Sequence, residues 1–156
     1  VQILYVNLAT DGLPALALAV DPPATDLMKH PPRDARRGIF TRPVVMLMLI
    51  GGIWSAIINL SMFAWMLHAG HGVDIARAMT FVTLVLTEFT KAYCFRSDRH
   101  SVLLPSATNK WLNLAIAWEV LLLFTVVYVP VFQRPLATFA LAGFDWLIVT
   151  ICALSV

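Results

Sequence analysis

Five long apolar stretches make up most of this chain, and they limit its fold more than any other feature. A helix needs about 20 mostly apolar residues to span a hydrocarbon core of about 30 Å. The stretches that qualify are residues 1–20, 44–69, 75–95, 111–132 and 136–156. We therefore predict an all-α integral membrane protein, a helical bundle of about five transmembrane helices.

The composition excludes a water-soluble enzyme. Of the 156 residues, 60% are hydrophobic and only 13% are charged, whereas a soluble domain is about 45–50% apolar and about 25% charged. The net charge is +2 and the basic residues are dispersed, so the lipid bilayer is the expected partner and nucleic acid is not. Val1 and Val156 both lie in apolar stretches, and we expect the chain to be a fragment of a longer protein.

The positions of Lys and Arg predict the orientation, because basic residues concentrate in cytoplasmic loops. Five of the 11 lie within residues 21–43, and four lie between Lys91 and Lys110. Only Arg77 and Arg134 fall on the opposite side. We predict that loops 21–43 and 96–110 are cytoplasmic.

The first stretch contains the polar residues Asn7, Thr10 and Asp11. Their i, i+3, i+4 spacing would place all three oxygens on one face of an α-helix. Gly12 and Pro14 weaken the helix just afterwards, and helices broken at membrane depth line cavities where free carbonyls bind cations. Such oxygen ligands suit Ca²⁺ or another hard cation. The alternative is a polar contact between helices with a proline kink.

The segment from Gln2 to Ala15 resembles the sixth transmembrane helix of calcium-transporting P-type ATPases, above all the sarco/endoplasmic reticulum type and its bacterial relatives. Residues 21–33 are similar to that family's loop between helices six and seven. Glu88, residues 109–112 and residues 145–147 fall in register with helices eight, nine and ten. The resemblance implies that residues 1–156 are helices six to ten, the C-terminal transmembrane domain of a ten-helix, ATP-driven cation pump.

The resemblance also implies roles for individual residues. Asn7, Thr10 and Asp11 match calcium ligands of the sixth helix, and Glu88 matches a carboxylate ligand of the eighth. The loop that couples the ion site to the phosphorylation domain would include Asp21, Pro22, Pro23, Asp26, Pro31, Pro32 and Arg33. The transported ion would be Ca²⁺, and protons would replace it on the acids during the return step.

ATP and Mg²⁺ would act only through other parts of such a pump. The nucleotide-binding and phosphorylation domains and the N-terminal helices of this translocase would be the partners of this chain, which alone should be inactive. We expect a multi-pass protein of a prokaryotic plasma membrane.

Two ionisable residues depart from the family pattern. Lys91 lies one turn after Glu88; it either extends to the cytoplasmic surface or pairs with Glu88 and takes the place of one cation, which would favour one Ca²⁺ per cycle. Glu119 has no counterpart in the family; it either pairs with Lys91 or is kept protonated by desolvation. We regard both as possible modulators of transport.

Two other functions remain open from the sequence. The first is a non-enzymatic five-helix membrane protein that serves as a subunit or regulator. The second is a P-type pump for another cation, such as Mn²⁺ or Na⁺, because all these hard ions bind oxygen ligands. Asp11 together with Glu88 favours an ion site, since a purely structural protein has no reason to keep both acids in lipid.

Overall fold

A computed structural model describes residues 1–21, 40–94 and 109–156. These residues form seven α-helices and one π-helical segment, with no strand among them. In chain order they are α1 (Gln2–Tyr5), the π segment (Val6–Thr10), α2 (Gly12–Ala19), α3 (Arg42–His68), α4 (Val73–Cys94), α5 (Lys110–Tyr128), α6 (Pro130–Leu136) and α7 (Gly143–Leu154). The predicted all-α class is confirmed.

The longest helix, α3, lies at the edge of the bundle. It has 27 residues and a mean hydropathy of 2.0, and α5 has 19 residues and a mean hydropathy of 1.8; both are long and apolar enough to cross a membrane. Most of the α3 surface is exposed, and its buried residues form one narrow stripe: Gly51, Ser55, Met62 and Met66. This stripe packs against α4, and an apolar remainder of this kind suits contact with lipid.

The centre of the bundle is α4, which packs against α3 on one side and α7 on the other. Its core includes the buried side chains of Phe81, Val82 and Val85. The buried hydroxyls of Thr83 and Thr87 donate to carbonyls of the preceding turn, at 2.9 and 2.7 Å. Helix α4 therefore satisfies these polar groups by itself and can be enclosed by apolar neighbours.

Helices α2 and α5 are joined by one buried side chain. The Asn109 Oδ1 accepts hydrogen bonds from the backbone N–H groups of Trp111 and Leu112, which caps the start of α5. Its Nδ2 donates to the carbonyl oxygen of Ala17 in α2, at 2.8 Å. One asparagine thus starts α5 and holds it beside α2.

The predicted spans agree best in the middle of the chain. Residues 44–69 and 75–95 correspond closely to α3 and α4. The first span is divided, because Asp11 separates the π segment from α2. The last span was predicted to start at residue 136, but its helix α7 contains only 12 residues, about 18 Å at 1.5 Å per residue.

Prolines explain why α5 ends earlier than predicted. Pro130 has no N–H to donate to the carbonyl of Val126, four residues earlier. The Thr138 hydroxyl donates to that carbonyl instead, at 2.7 Å, and Gln133 Nε2 donates to the carbonyl of Val127, at 2.6 Å. Side chains from α6 and the following loop therefore replace the lost backbone bonds.

Aromatic contacts hold α7 against α5. The indole N–H of Trp146 donates to the Tyr128 hydroxyl at 2.8 Å, and this hydroxyl donates to the carbonyl of Leu141 at 2.9 Å. Phe124 stacks on Trp146 with ring centroids 4.7 Å apart. Asp145 Oδ2 accepts the backbone N–H of Ala142 at 2.9 Å, so this acid stabilises the start of α7.

Candidate cation site

The polar residues of the first span lie on a π-helical turn rather than an α-helix. The Asp11 N–H donates to the carbonyl of Val6, five residues earlier, at 3.2 Å. The Thr10 hydroxyl donates to the same carbonyl at 2.5 Å. This turn is wider than the α-helix that the i, i+3, i+4 spacing predicts, and single π turns are frequent at functional sites.

The wider turn separates the three polar side chains by exposure. Thr10 is only 2% exposed, whereas Asn7 and Asp11 are exposed. Because the Thr10 hydroxyl gives its proton to a carbonyl, the lone pairs of its oxygen remain available to accept. Asn7 and Asp11 present amide and carboxylate oxygens at a surface that the described helices leave uncovered.

The helix breaks at Asp11, one residue before the predicted glycine. Asp11 has φ −94° and ψ −32° and belongs to neither helix. Gly12 begins α2, and Pro14 lies in its first turn, where the absent N–H would have had no helical partner. Gly12 and Pro14 thus start a new helix after the break.

Glu88 forms an ion pair on α4. Lys91 Nζ lies 2.5 Å from Glu88 Oε1, with the Lys91 side chain 16% exposed and that of Glu88 28% exposed. Lys91 is in the last turn of α4. Of the two alternatives for Lys91, the structure has the pair with Glu88.

Glu119 lies on the buried face of α5 and is 0% exposed. Neither of its carboxylate oxygens has a hydrogen-bond partner within the described ranges. The expected alternative of a pair with Lys91 is wrong, because Lys91 reaches the carboxylate on its own helix instead.

Tyr5 is a partly buried polar residue of the first span that hydropathy and spacing do not single out. Its hydroxyl is buried without a hydrogen-bond partner among the described residues, and its ring meets that of Phe81 edge-on, with centroids 5.5 Å apart. A tyrosine in an otherwise apolar turn was the only signal in the sequence.

The described residues bring together only part of the predicted ligand set. No hydrogen bond or ion pair in the described ranges joins Glu88 to Asn7, Thr10 or Asp11, and no group of three or more His, Cys, Asp or Glu there could hold a metal ion. Asp21 follows α2, with its N–H donating to the carbonyl of Leu18 at 3.1 Å. The other predicted residues of the coupling loop lie outside the described residues: Pro22, Pro23, Asp26, Pro31, Pro32 and Arg33.

The chain is similar over its whole length to a known protein family. The family described as "Cation transporting ATPase, C-terminus" matches residues 1–156. The chain belongs to this family of cation-transporting ATPases. It is thus a multi-pass integral membrane protein, and the resemblance identified from the residues is confirmed.

Relatives of this ATPase region come from bacteria and eukaryotes. The chain is 33% identical over 150 residues to a calcium-transporting ATPase of Bacillus subtilis, covering 96% of the chain and 17% of that protein. It is 30% identical over 156 residues to calcium-transporting ATPase 1 of Schizosaccharomyces pombe, covering 99% and 17%. It is 29% identical over 149 residues to calcium-transporting ATPase type 2C member 1 of Mus musculus, covering 94% and 16%. The chain therefore spans about a sixth of the length of these relatives.

Proposed function

We propose that this chain is part of an ATP-driven pump that moves Ca²⁺ across a membrane, and that it contributes half of the ion site. The observation that carries the proposal is the π segment, which ends at Asp11 outside any regular helix and exposes Asn7 and Asp11 together. The names of the relatives, all calcium-transporting ATPases, support Ca²⁺ as the ion.

The ligand chemistry explains why the site needs other helices. Ca²⁺ takes six to eight oxygen ligands, and Asn7, Thr10 and Asp11 together offer fewer than that. The remaining ligands come from other helices of the longer pump, which pack on the side where Asn7 and Asp11 are exposed. ATP and Mg²⁺ act in the cytoplasmic domains of the longer pump. The loop that follows α2 transmits the movement of those domains to the ion site.

The sarco/endoplasmic type of ion site includes an acid at the position of Glu88. Here the Lys91 ammonium already neutralises that acid, at 2.5 Å. The Lys91 ammonium takes the place of one bound cation, so this pump carries one Ca²⁺ per cycle. Purified pump that bound two Ca²⁺ per molecule at saturation would contradict this stoichiometry.

The non-enzymatic alternative and the pumps for Mn²⁺ or Na⁺ are less well supported. A structural subunit does not explain an acid left exposed beside a broken helix, because such an acid is costly in a membrane. Ion substitution distinguishes a calcium pump from a pump for another ion. Added Mn²⁺ or Na⁺ should not replace Ca²⁺ in stimulating the formation of the phosphorylated enzyme.

Two acidic variants of the full-length pump test the proposal. We expect Asp11→Asn to abolish calcium-dependent phosphorylation by ATP, because an amide cannot supply the charge that balances Ca²⁺. The control Asp145→Asn makes the same chemical change at an acid that caps α7, and its phosphorylation should stay near the unmodified level. Equal effects of the two variants would reject Asp11 as a ligand.

The proposed function includes an orientation of the chain in the membrane and a type of membrane. Loops 21–43 and 96–110 face the cytoplasm, as the Lys and Arg distribution predicts, and the bacterial relative supports a prokaryotic plasma membrane. Cysteines introduced at Arg36 and Arg134 should react with an impermeant reagent from opposite sides of sealed vesicles. Labelling of both from one side would reject this orientation.

A further inference from the structure

Two side-chain amides join the first span to other helices, one on each side of Asp11. In α1, Gln2 Nε2 donates to the carbonyl oxygen of Leu136 at 2.6 Å. Beyond Asp11, the carbonyl oxygen of Ala17 in α2 accepts a hydrogen bond from Asn109 Nδ2 at 2.8 Å. Leu136 is the last residue of α6, and Asn109 caps the start of α5. The first span is therefore held on both sides of its interruption.

Helix α1 has few other contacts that fix its direction. It is a single turn of four residues, none of them buried, and its Ile3 and Leu4 side chains are exposed. The ring of Tyr5 contacts that of Phe81, with centroids 5.5 Å apart. Because so short a helix is not stable by itself, the bond from Gln2 is a large part of what orients α1.

The hydrogen bonding across Asp11 is weaker than that of a continuous helix. Pro14 has no N–H to donate to the carbonyl of Thr10, four residues earlier. The Asp11 N–H donates to the carbonyl of Val6, while the Asp11 carbonyl accepts the N–H of Ala15, both at 3.2 Å. Asp11 is thus joined to α2 through its own carbonyl, whereas Asn7 belongs to the π segment that continues α1. The two halves can change their relative angle at this point.

Helix α5 is suited to set the relative position of the two halves. It is a regular helix of 19 residues, about 28 Å long at 1.5 Å per residue. Near its start, Leu112 packs in one buried cluster with Ala17. At its end, the Thr138 hydroxyl donates to the carbonyl of Val126 and fixes the chain that follows α6. The separation of the two amide bonds is therefore determined by α5, not by the interrupted span.

We propose that Gln2 and Asn109 are positioning residues of the ion site. Gln2 orients the half that carries Asn7, and Asn109 orients the half that begins at Asp11. Together they hold the two halves at the angle at which the amide and carboxylate oxygens converge on one ion. Loss of either bond leaves every ligand present but loosens their geometry. The affinity for Ca²⁺ then falls while the number of bound ions stays the same.

This inference rests on the proposed calcium-pump function, and equilibrium binding of radioactive Ca²⁺ to the full-length pump tests it. Gln2→Met keeps the length of the side chain but removes its N–H donor. We expect the Kd for Ca²⁺ to rise about tenfold, as it does when supporting partners of metal ligands are removed, with unchanged binding at saturation. The matched control is Gln133→Met, because Gln133 Nε2 also donates to a carbonyl at 2.6 Å, but to that of Val127 in α5. Its Kd should equal that of the unmodified pump.

Variants of Asn109 separate positioning from helix capping. Asn109→Ser keeps an oxygen that caps α5, but its side chain is too short to reach Ala17. We expect it to raise the Kd as much as Asn109→Ala does, although it should lose less stability in denaturant without Ca²⁺. A purely structural role would instead make the change in Kd follow the loss of stability. Asn109→Ser with the Kd of the unmodified pump would overturn the positioning role of Asn109.

The outcomes distinguish this inference from the proposed function. An unchanged Kd in Gln2→Met would overturn the role of Gln2 while leaving the calcium pump intact. Equal rises of the Kd in Gln2→Met and Gln133→Met would also overturn it, because they would show a general loosening of the bundle. Unmodified pump that binds no Ca²⁺ would overturn the proposed function. If Asn109→Ser does not fold, the comparison of Gln2→Met with Gln133→Met decides.

Discussion

Two regions of the molecule treat polar groups in opposite ways. In the corner formed by α5, α6 and α7, the carbonyls of Val126, Val127 and Leu141 each accept a hydrogen bond from a side chain. By contrast, Asp11 at the end of the π segment is exposed, and the Glu119 carboxylate on α5 is buried without a hydrogen-bond partner among the described residues. Every unsatisfied polar group in a membrane costs several kcal/mol. Since the chain pairs the backbone carbonyls of this corner with side-chain donors, we infer that the unpaired acids are left for a ligand.

The Glu88–Lys91 pair lies between these two extremes. It is satisfied within the chain, as in the corner, but it contains an acid at a position that the family uses for an ion. Whether it belongs to the structural or the ligand class is decided by removing the lysine.

The largest effect is expected for Lys91→Gln in the full-length pump. Without the ammonium, the Glu88 carboxylate becomes free to bind an ion, and Ca²⁺ bound at saturation should rise from about one to about two per pump. Equilibrium dialysis with radioactive Ca²⁺ measures this number. An unchanged number of bound Ca²⁺ ions would show that the Glu88–Lys91 pair has a structural role.

A matched control exists on the same helix. Arg77 and Asp74 also stand three residues apart, with their closest atoms at 3.9 Å, but their side chains are 56% and 70% exposed. An exposed pair of this kind contributes at most about 1 kcal/mol. Arg77→Gln should therefore leave both the Ca²⁺ number and the stability of the pump nearly unchanged.

The sequence predicted the features that depend on local pattern. Apolar stretches of sufficient length gave α3 and α4 nearly at their observed ends, and Gly12 with Pro14 marked a break in the first span. Asn7, Thr10 and Asp11 stand out because three oxygen-bearing side chains in an apolar helix are rare. These are properties of single segments, which hydropathy and spacing report directly.

The features that depend on other segments were not predictable in the same way. In the π turn, the Asp11 N–H donates to the carbonyl of Val6 rather than to that of Asn7. Residue spacing alone does not predict this difference. The partner of Lys91 was open between two acids until the helices were placed. The loss of helix after Tyr128 follows from Pro130, but its compensation by Thr138 needed the folded loop.

Asn109 is a buried side chain whose oxygen and nitrogen both have hydrogen-bond partners. Asn109→Ala removes the cap of α5 and the bond to Ala17, so the free energy of unfolding should fall by about 2–3 kcal/mol. Asn109→Asp keeps the capping oxygen and should lose about half as much. Denaturant unfolding of the purified pump, followed by tryptophan fluorescence, gives both values; equal losses would show that the cap of α5 contributes nothing.

In the corner formed by α5, α6 and α7, Thr138 supplies the donor for the Val126 carbonyl. Thr138→Val keeps the shape of the side chain but leaves the Val126 carbonyl without a donor, and stability should fall by about 1–2 kcal/mol. Thr125→Val is the control, because the Thr125 hydroxyl donates to the carbonyl of Leu121, on its own helix, at 2.8 Å, where the helix already supplies an N–H. Similar losses in the two variants would mean that Thr138 does not replace the bond lost at Pro130.

The smallest effect should be a gain of stability at the end of α6. Ala137 is the non-glycine residue with a positive φ in the described ranges, at φ 47° and ψ 47°. A Cβ in this left-handed region costs about 1 kcal/mol, so Ala137→Gly should raise the unfolding free energy by up to that amount. Ala140→Gly, at a position with ordinary backbone angles, should lower it slightly because glycine gains freedom in the unfolded chain. The same denaturant titration measures both. A loss at Ala137 as large as that at Ala140 would mean that this turn relaxes in the membrane, and that the corner is less rigid than its hydrogen bonds imply.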